Sequence, residues 1–375
     1  MTQREKARPL SVLAWPAFSP RARNPYTWLL YRHLQQRGVE VEELTVASAF
    51  RRRHDLLHVH WPERAFASSR WHRAAVLSGA ILALLAICRL RGTRIVWTVH
   101  NLAAHDRRHP RLADLVWRCF LSSVDGLISL SRTGLDLLDE CHPCLRALPR
   151  AVVPLGHFRD VYPDDIGRQP ARAALALSCD GPVLLFFGQV RPYKNLPSLI
   201  RAFRQLADPA ATLLIAGQPA SEADRRQVCE AAAADQRVRL DLRLIPEQEV
   251  QLYFRSADLV VLPYADILHS GAAMLALCFD RPVLVPRLGA MDELAREVGD
   301  RWVAVYTGSL DGGLLARALD WVRAEPRPVR APLDAFAWPA IAQATLEVYR
   351  TVLAAGRSPS LDSSNRWPGK SRSRT

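Results

Sequence analysis

Short runs of β-branched and aromatic residues, separated by segments of helix length, recur in two series along this chain. The first series occupies residues 10–16, 55–62, 94–101, 126–131 and 151–156. The second series occupies residues 182–188, 212–217, 238–245, 258–264 and 282–286. Strands that alternate with helices are typical of parallel sheets with crossover helices. We therefore predict an α/β chain with two doubly wound, Rossmann-like domains.

The polar segment YPDDIGRQP at residues 162–170 separates the two series and marks the expected domain boundary. A chain of 375 residues is also too long for one ordinary core and suits two domains. The predicted organisation is an N-terminal domain over 1–165, a second domain over 166–335, a C-terminal crossover helix over 336–355 and a disordered tail over 356–375. The tail is assigned as disordered because it is polar, basic and without periodicity.

The formal net charge of +13 calls for an anionic partner, which can be nucleic acid, a lipid surface or a phosphorylated substrate. Scattered arginines, and the lack of a zinc-finger spacing or an RNP-type strand, disfavour nucleic acid. Seven cysteines and no recognisable signal peptide indicate reduced thiols in a cytoplasm. The one close pair, Cys141 and Cys144, lacks the second pair that a zinc site needs. Neither a metal nor a cofactor is expected.

Residues 74–88 form a 15-residue apolar run between Arg73 and Arg89. The run is shorter than the roughly 20 residues of a membrane-spanning helix. Two interpretations stay open. It is either a core helix between strands or a helix that lies at a bilayer interface, assisted by the nearby arginines.

Lys194 is the single lysine away from the two termini in a chain that otherwise uses arginine. It follows Arg191 by three residues and comes after the apolar run that ends at Gly188. Ligands of doubly wound domains bind beyond the carboxyl ends of the strands. An arginine fork, a lysine point charge and the free N–H groups of a helix start together suit a diphosphate, although two solvated surface cations are the simpler alternative. Gly188, Arg191 and Lys194 are therefore predicted to bind a diphosphate group.

A second anion site is predicted where the run that ends at Tyr264 leads, through a loop, to Ser270 and Gly271. Ser270 can cap the next helix, and Gly271 lets a phosphate approach the backbone closely. Capping motifs are common, so the prediction depends on their place in the same domain as Lys194, where both segments can face one crevice. Glu247, between a strand and a helix, can contact the group that carries the diphosphate, such as the base or ribose of a nucleotide, or can stabilise the helix dipole.

The segments FGQVRPYKN, LLIAG, VVLPY and RPVLVP, with SG opening a helix, resemble the C-terminal half of nucleotide-sugar glycosyltransferases of the GT-B fold. Further segments are similar to the bacterial GDP-mannose:glycolipid 4-β-D-mannosyltransferases of xanthan-type exopolysaccharide assembly. They are NPY at 24–26, HVHWPE at 58–63, TVHNLAAHD at 98–106, VRPYK at 190–194, HSGAAMLAL at 269–277 and WVAVYTGSLD at 302–311.

This resemblance implies transfer of mannose from GDP-mannose to an oligosaccharide on a polyprenyl diphosphate, with inversion at the anomeric carbon. It also implies that Arg191 and Lys194 neutralise the donor diphosphate and that the helix start at Ser270 receives its phosphates. One departure stands out, because large retaining relatives carry a Glu-x7-Glu motif around this helix; here the second Glu position aligns with Leu275 and the first falls near Leu268, with no carboxylate in HSGAAMLAL. The departure disfavours the retaining branch.

An inverting transfer needs a base that takes the proton of the acceptor hydroxyl. In this fold the base is expected in the N-terminal domain, where the candidates are Glu63, Asp106, His100 and His105. Two of these residues also have a structural alternative: Glu63 can be a cap or a salt-bridge partner of a nearby arginine, and a buried His100 can bond to backbone.

Other residues of the N-terminal domain are expected near the acceptor. Asn101, together with His100, can position an acceptor or donor phosphate at the end of its strand. Asn24 and Tyr26 fall where a loop of this fold covers the sugar, although Asn-Pro is also a common turn. The predicted acceptor-binding residues are Asn24, Tyr26, Asn101 and His105.

The leading hypothesis is an inverting, metal-independent glycosyltransferase on the inner face of the bacterial cytoplasmic membrane, where its basic charge attracts anionic lipid. Its expected partners are GDP-mannose, a lipid-linked oligosaccharide and an anionic membrane surface. Two alternatives stay open: a retaining hexosyltransferase that uses a UDP-sugar, and a non-catalytic regulator that binds nucleotide sugars or lipid.

Overall fold

The computed structural model describes residues 8–18, 24–66, 68–102, 109–324 and 326–355. The chain divides into two compact units, called unit 1 (Met1–Gly156 with Trp338–Thr375) and unit 2 (His157–Ala337). The boundary predicted after residue 165 thus falls inside unit 2. The tail predicted at 356–375 lies outside the described residues.

A parallel six-stranded sheet forms the centre of unit 1, in the order β2-β1-β3-β4-β5-β6. Its register places Val12 opposite both Val41 and Leu56. The strands are β1 (Ser11–Trp15), β2 (Glu40–Glu43), β3 (Leu56–Val59), β4 (Arg94–Val99), β5 (Gly126–Ser129) and β6 (Arg150–Val152). The helices are α1 (Tyr26–Gln35), α2 (Val46–Arg51), α3 (Trp71–Leu90), α4 (Pro110–Leu121), α5 (Arg132–Cys141) and α13 (Trp338–Ala354).

The strand order of unit 1 decides on which face of the sheet each helix lies. From β2 onward the chain moves in one direction across the sheet, from β3 to β6. Right-handed crossovers therefore put α2, α3, α4 and α5 on one face and α1 on the other. The contacts agree, since α3 touches α2 and α4 while α1 packs against α13.

Unit 2 is built around a second parallel six-stranded sheet, in the order β12-β11-β10-β7-β8-β9. Its strands are β7 (Val183–Phe187), β8 (Thr212–Ala216), β9 (Val238–Asp241), β10 (Leu259–Val261), β11 (Val283–Pro286) and β12 (Val303–Tyr306). Its helices are α6 (Arg168–Ala174), α7 (Leu196–Arg204), α8 (Glu222–Ala232), α9 (Val250–Ser256), α10 (Gly271–Cys278), α11 (Met291–Val298) and α12 (Gly312–Ala324). The predicted fold class, α/β with two doubly wound parallel sheets, is confirmed.

Two strands, β2 and β12, were not predicted from the sequence, and each forms an edge of its sheet. The central strands are covered on both faces and therefore appear as unbroken apolar runs, as in LLHV of β3. In contrast, β2 has the sequence EVEE and is only partly buried. An edge strand of this kind carries no apolar run that would mark it.

Helix α3 is apolar around its whole circumference, although only one stripe of it is buried. That stripe consists of Ala74, Ser78, Leu84, Leu85 and Cys88. Among the described residues, α3 is the one helix long and apolar enough to cross a membrane. The prediction of a core helix therefore accounts for one side of α3 and leaves the other side unexplained.

Candidate active site

One glycine follows each of the neighbouring strands β7 and β8, and both have a backbone conformation that L side chains rarely adopt. Gly188 has φ of +130° and Gly217, after the neighbouring strand β8, has φ of +143°. A Cβ on Gly217 would lie 2.0 Å from the carbonyl oxygen of Gly188, so the two backbones approach too closely for any other residue. A Cβ on Gly188 would meet nothing within 4 Å. The carboxyl end of β7 therefore has open space beside bare backbone.

Arg191 and Lys194 follow in the loop after Gly188. Pro192–Lys194 forms a 3₁₀ turn, and Asn195, with φ of +55°, turns the chain into α7. The helix begins at Leu196, slightly later than the predicted start at Lys194. Arg191 is half-buried and its Nε donates to Oε1 of Gln189 at 2.9 Å, which keeps the guanidinium close to the strand end.

The ammonium group of Lys194 lies between aromatic rings. Its Nζ is 4.0 Å from the ring centroid of Tyr264 and 5.0 Å from that of Tyr193. Burial lowers the pKa of Lys194 to about 7, and the nearby charge of Arg191 acts in the same direction. The faces of the two rings partly compensate the cation. An incoming anion would compensate it further.

Tyr264 also links Lys194 to the start of α10. Its hydroxyl is 2.9 Å from Oγ of Ser270, and that same Oγ accepts from the N–H of Ala273 at 3.1 Å. The loops are joined a second time, because Ala265 N donates to the carbonyl oxygen of Tyr193. The loop after β7 and the loop after β10 therefore form one hydrogen-bonded site at neighbouring strands of the sheet.

Ser270 and Gly271 contribute to this site in different ways. Ser270 is buried, and its hydroxyl caps α10 as predicted. The hydroxyl is therefore engaged within the protein. Gly271 is exposed, and a Cβ there would meet nothing within 4 Å. What α10 can offer a ligand is thus the backbone N–H groups of Gly271 and Ala272, which precede the capped N–H of Ala273.

Glu247 lies further along the same sheet than Lys194 and Tyr264. It lies in a 3₁₀ turn that follows β9 and leads into α9. Strand β9 is an edge strand separated from β7 by β8. Glu247 therefore shares the carboxyl edge of the sheet with the Lys194 loop at a distance of two strands.

In unit 1, Glu63 and Asn101 come together. Glu63 lies in a 3₁₀ turn after β3, Asn101 follows β4, and Nδ2 of Asn101 donates to Oε1 of Glu63 at 2.9 Å. Burial raises the pKa of Glu63 to about 6, against the opposing effects of the Asn101 hydrogen bond and the Arg64 charge. The result is a carboxylate with the basicity that suits proton transfer near neutral pH.

His100 lies beside this pair within a cluster of rings. Its imidazole stacks on the indole of Trp61, with centroids 4.3 Å apart, and its Nε2 is 3.1 Å from Nδ1 of His60. His60 is buried, and its Nε2 is 2.6 Å from the hydroxyl of Tyr31. Burial and the two neighbouring histidines keep the pKa of His60 well below its usual range. His100 is therefore held by a neutral partner.

Sequence reasoning missed His60 and Trp61 as members of this cluster, and also His58 and Tyr349 beneath it. His58 is fully buried between the hydroxyls of Tyr349 and Thr98, each 2.7 Å from one of its ring nitrogens. The alternating histidines of HVHW, at the end of the buried strand β3, were an available signal. Nothing in the sequence pointed to Tyr349, which lies 291 residues from His58.

The two predicted acceptor residues near α1 lie in different surroundings. Oδ1 of Asn24 accepts from the N–H of Tyr26, which is the turn that Asn-Pro also suggested. Tyr26 is only 1% exposed, and its ring packs against His60, His100 and Trp338. Tyr26 thus supports the ring cluster from inside. The other predicted residues of this group, His105 and the candidate base Asp106, lie outside the described residues.

No group of three or more His, Cys, Asp or Glu side chains that could hold a metal ion occurs within the described ranges. Cys141 and Cys144 are both free thiols.

Comparison with known proteins gives a consistent picture. Residues 181–321 match the family model "Glycosyl transferases group 1". A GDP-mannose:glycolipid 4-beta-D-mannosyltransferase of Xanthomonas campestris pv. campestris is 34% identical over 355 residues, which cover 94% of this chain and 95% of the relative. A D-inositol 3-phosphate glycosyltransferase of Saccharomonospora viridis is 26% identical over 72% of this chain and 68% of its own length.

Solved structures share the fold at low identity. Sucrose-phosphate synthase from Thermosynechococcus elongatus has a TM-score of 0.68 and 18% identity, covering 93% of this chain and 100% of its own. Anabaena HepE in complex with UDP-glucose has a TM-score of 0.61 and 14% identity, covering 92% of this chain and 98% of its own.

Proposed function

This chain belongs to the group 1 glycosyltransferases of the GT-B fold, and on that premise we propose that it is an inverting mannosyltransferase. The donor is GDP-mannose and the acceptor is an oligosaccharide carried on a polyprenyl diphosphate, in the assembly of an exopolysaccharide. The name of the Xanthomonas relative, with its GDP-mannose and glycolipid, supports the donor and the lipid-linked acceptor.

The observation that carries the proposal is the joined site of Arg191, Lys194 and the first turn of α10. Two cations and a helix start lie in the loops that follow two neighbouring strands, beside the open backbone of Gly188. This arrangement suits a diphosphate. Its two phosphate groups can bind the guanidinium of Arg191, the ammonium of Lys194 and the backbone N–H groups at the start of α10. The same groups stabilise the negative charge that develops on the leaving GDP, which is how a transfer without a metal ion proceeds.

The proposed reaction is a single displacement. The acceptor hydroxyl oxygen attacks the anomeric carbon of mannose on the side opposite the diphosphate. The new carbon–oxygen bond forms as the bond to the β-phosphate oxygen breaks, and the electron pair leaves with GDP. The proton of the attacking hydroxyl passes to a base of the protein, so the anomeric configuration inverts.

Glu63 is the described residue best suited to be that base. Its pKa, raised to about 6 by burial, leaves it ionised at neutral pH yet more basic than an exposed carboxylate. Asn101 holds one carboxylate oxygen and leaves the other for a proton. His100 is less suited, because its Nε2 is already directed at His60.

The inverting course is further supported by the residues before and within α10. Leu275, which aligns with the second glutamate of retaining relatives, and Leu268, which lies near the position of the first, are both buried apolar side chains. The first turn of α10 therefore presents backbone and no carboxylate to the donor.

The proposed location is the inner face of the bacterial cytoplasmic membrane, where a lipid-linked acceptor resides. The net charge of +13 favours association with anionic lipid.

The test is transfer from radiolabelled GDP-mannose to a lipid-linked oligosaccharide extract, with the anomeric configuration of the product read by NMR. We expect a β-linked mannose in the presence of chelator. An α-linked product, transfer only from UDP-sugars, or loss of activity with chelator and its return with Mn²⁺ would each contradict the corresponding part of the proposal. Binding of donor with no transfer to any acceptor would indicate the non-catalytic alternative.

A further inference from the structure

Exposed large apolar side chains are concentrated in one part of unit 1. Of the nine such residues among the described ranges, seven lie on α2, α3 and α4, and the other two, Leu244 and Val329, lie in unit 2. The seven are Val46, Phe50, Trp71, Val76, Leu77, Leu90 and Leu115. Large apolar patches of this kind mark interaction sites on proteins.

These side chains share one surface. The three helices lie side by side on the same face of the sheet, with α3 in the middle and in contact with both neighbours. The buried stripe of α3 is directed toward the sheet, and Val76 and Leu77 are 70% and 48% exposed. The outer side of these helices, called here the α3 face, is therefore an apolar layer that no other described residue covers.

The charges on the helices of the α3 face are positive with one exception. Helices α2 and α3 carry no acidic residue, and α4 carries one, Asp114. Five exposed arginines border the face and form no ion pair with any described residue. They are Arg70, Arg73, Arg91, Arg111 and Arg118. A cationic border around an apolar centre complements an anionic lipid surface, into which apolar side chains insert while arginines remain at the headgroups.

We propose that the α3 face docks on the surface of an anionic phospholipid bilayer. Docking itself does not depend on the proposed function. Only its purpose does, which is to bring the enzyme to a lipid-linked acceptor. Helix α3 lies on the bilayer and does not span it. Its ends connect β3 and β4, which are adjacent strands, and its stripe of Ala74, Ser78, Leu84, Leu85 and Cys88 is held in the core. Crossing the bilayer would take this stripe out of unit 1.

The experiment is sedimentation of the full chain with vesicles of phosphatidylglycerol and phosphatidylcholine, and with vesicles of phosphatidylcholine alone. We expect binding that requires phosphatidylglycerol and weakens with salt. Leu77→Glu should lower the partition coefficient about tenfold, because it replaces an inserting side chain with a like charge. Arg70→Gln with Arg73→Gln should lower it about fivefold for each arginine.

Leu244→Glu is the matched control. Leu244 is 52% exposed, close to the 48% of Leu77, but lies in unit 2. It should bind vesicles like the parent. Equal losses in both leucine variants, or no loss in Leu77→Glu, would overturn the assignment of the surface. Indifference to phosphatidylglycerol would overturn the choice of partner.

A second copy of this chain is the competing occupant of the α3 face. Sedimentation velocity without lipid should give a monomer, and a dimer abolished by Leu77→Glu would overturn the proposal. Calorimetric titration with GDP keeps this test apart from that of the proposed function. We expect Leu77→Glu to bind GDP like the parent, so loss of vesicle binding with intact GDP binding concerns docking alone.

Discussion

The ammonium nitrogen of Lys194 lies 4.0 Å from the ring centroid of Tyr264, whose hydroxyl is 2.9 Å from Oγ of Ser270. One aromatic side chain thus connects the cation after β7 with the capped start of α10. Lys194 and the helix start at Ser270, which the sequence suggested as two anion sites, therefore belong to a single site. The buried ring of Tyr264 fixes the distance between them.

Replacing Lys194 with alanine should weaken GDP binding by roughly 10- to 150-fold. The estimate corresponds to the loss of a charge-assisted hydrogen bond to a phosphate, worth about 1.5–3 kcal/mol. Calorimetric titration of the parent and the variant measures the change. Arg201→Ala is the matched control, because Arg201 is an exposed cation on α7 that contacts only Ser198 in the hydrogen bonds described. An equal loss in both variants would mean that general charge, and not Lys194, binds the donor.

The affinity for GDP-mannose should fall as the pH rises above 7. Because the pKa of Lys194 is lowered to about 7, the free protein carries the ammonium below that pH and loses it above. A bound diphosphate favours the ammonium, so binding above pH 7 takes up a proton and weakens by up to about tenfold per pH unit. Titrations between pH 6 and 8.5 in buffers of different ionisation enthalpy would detect this proton. Lys194→Gln should bind weakly with no such dependence, and a sloping profile in that variant would assign the effect elsewhere.

Two substitutions at Tyr264 should separate its ring from its hydroxyl. Tyr264→Phe keeps the ring next to Lys194 and removes the bond to Ser270, so it should cost about 1 kcal/mol of unfolding free energy and change GDP affinity less than threefold. Tyr264→Leu removes the ring face as well and should weaken GDP binding further. Urea unfolding and calorimetry provide the two measurements. Equal GDP affinities in the two variants would show that the ring does not position Lys194.

Glu63→Gln should lower the transfer rate at least 100-fold while leaving the Kd for GDP-mannose unchanged, since the amide cannot accept the proton. In the parent, kcat/KM should rise with pH through about 6, because the raised pKa of Glu63 places its ionisation there. Glu347→Gln is the control, as Glu347 is an exposed glutamate of α13 in the same unit. Retention of activity in Glu63→Gln would contradict the assignment of Glu63 as the base and leave Asp106 as the next carboxylate candidate.

Asn101→Ala should move the acidic limb of this pH profile upward. The Asn101 amide donates to the Glu63 carboxylate and lowers its pKa, so removing it makes the carboxylate more basic. A merely structural role for Asn101 would change rates without shifting the limb. The pH dependence of kcat/KM in the variant distinguishes these outcomes.

Tyr349→Phe should destabilise unit 1 by about 1–3 kcal/mol, because a ring nitrogen of buried His58 loses its hydroxyl partner. Stability should also fall with acid. Burial lowers the pKa of His58 to about 3, so the unfolded chain binds more protons than the native one between about pH 6.5 and 3. The loss is at most about 1.4 kcal/mol per pH unit for this residue. Urea unfolding from pH 7.5 to 4 measures both effects, and an unchanged slope in His58→Gln would contradict the assignment.

The parts of this protein that were predictable from sequence are those in which one local pattern has one structural meaning. Central strands covered on both faces appear as apolar runs, so β7 and β10 could be located from the sequence. Ligands bind beyond the carboxyl ends of such strands, so the residues after β7 and β10 could then be predicted as site residues. Lys194 stood out by composition, and Ser270 by its position before an apolar helix. The edge strand β2 was not predicted, because a partly exposed strand with the sequence EVEE has no apolar run.

The sequence by itself determined the two parallel sheets, the strand ends that carry polar residues, and the membership of Lys194 and Ser270 among those ends. Only the tertiary structure decided that Tyr264 joins them, that Tyr26 is buried, and that His58 meets Tyr349 from the far end of the chain. The physical reason is the range of the interactions. Strand and helix patterns arise from the spacing of neighbouring residues, whereas ring contacts and buried hydrogen bonds depend on which segments the packed sheet brings together.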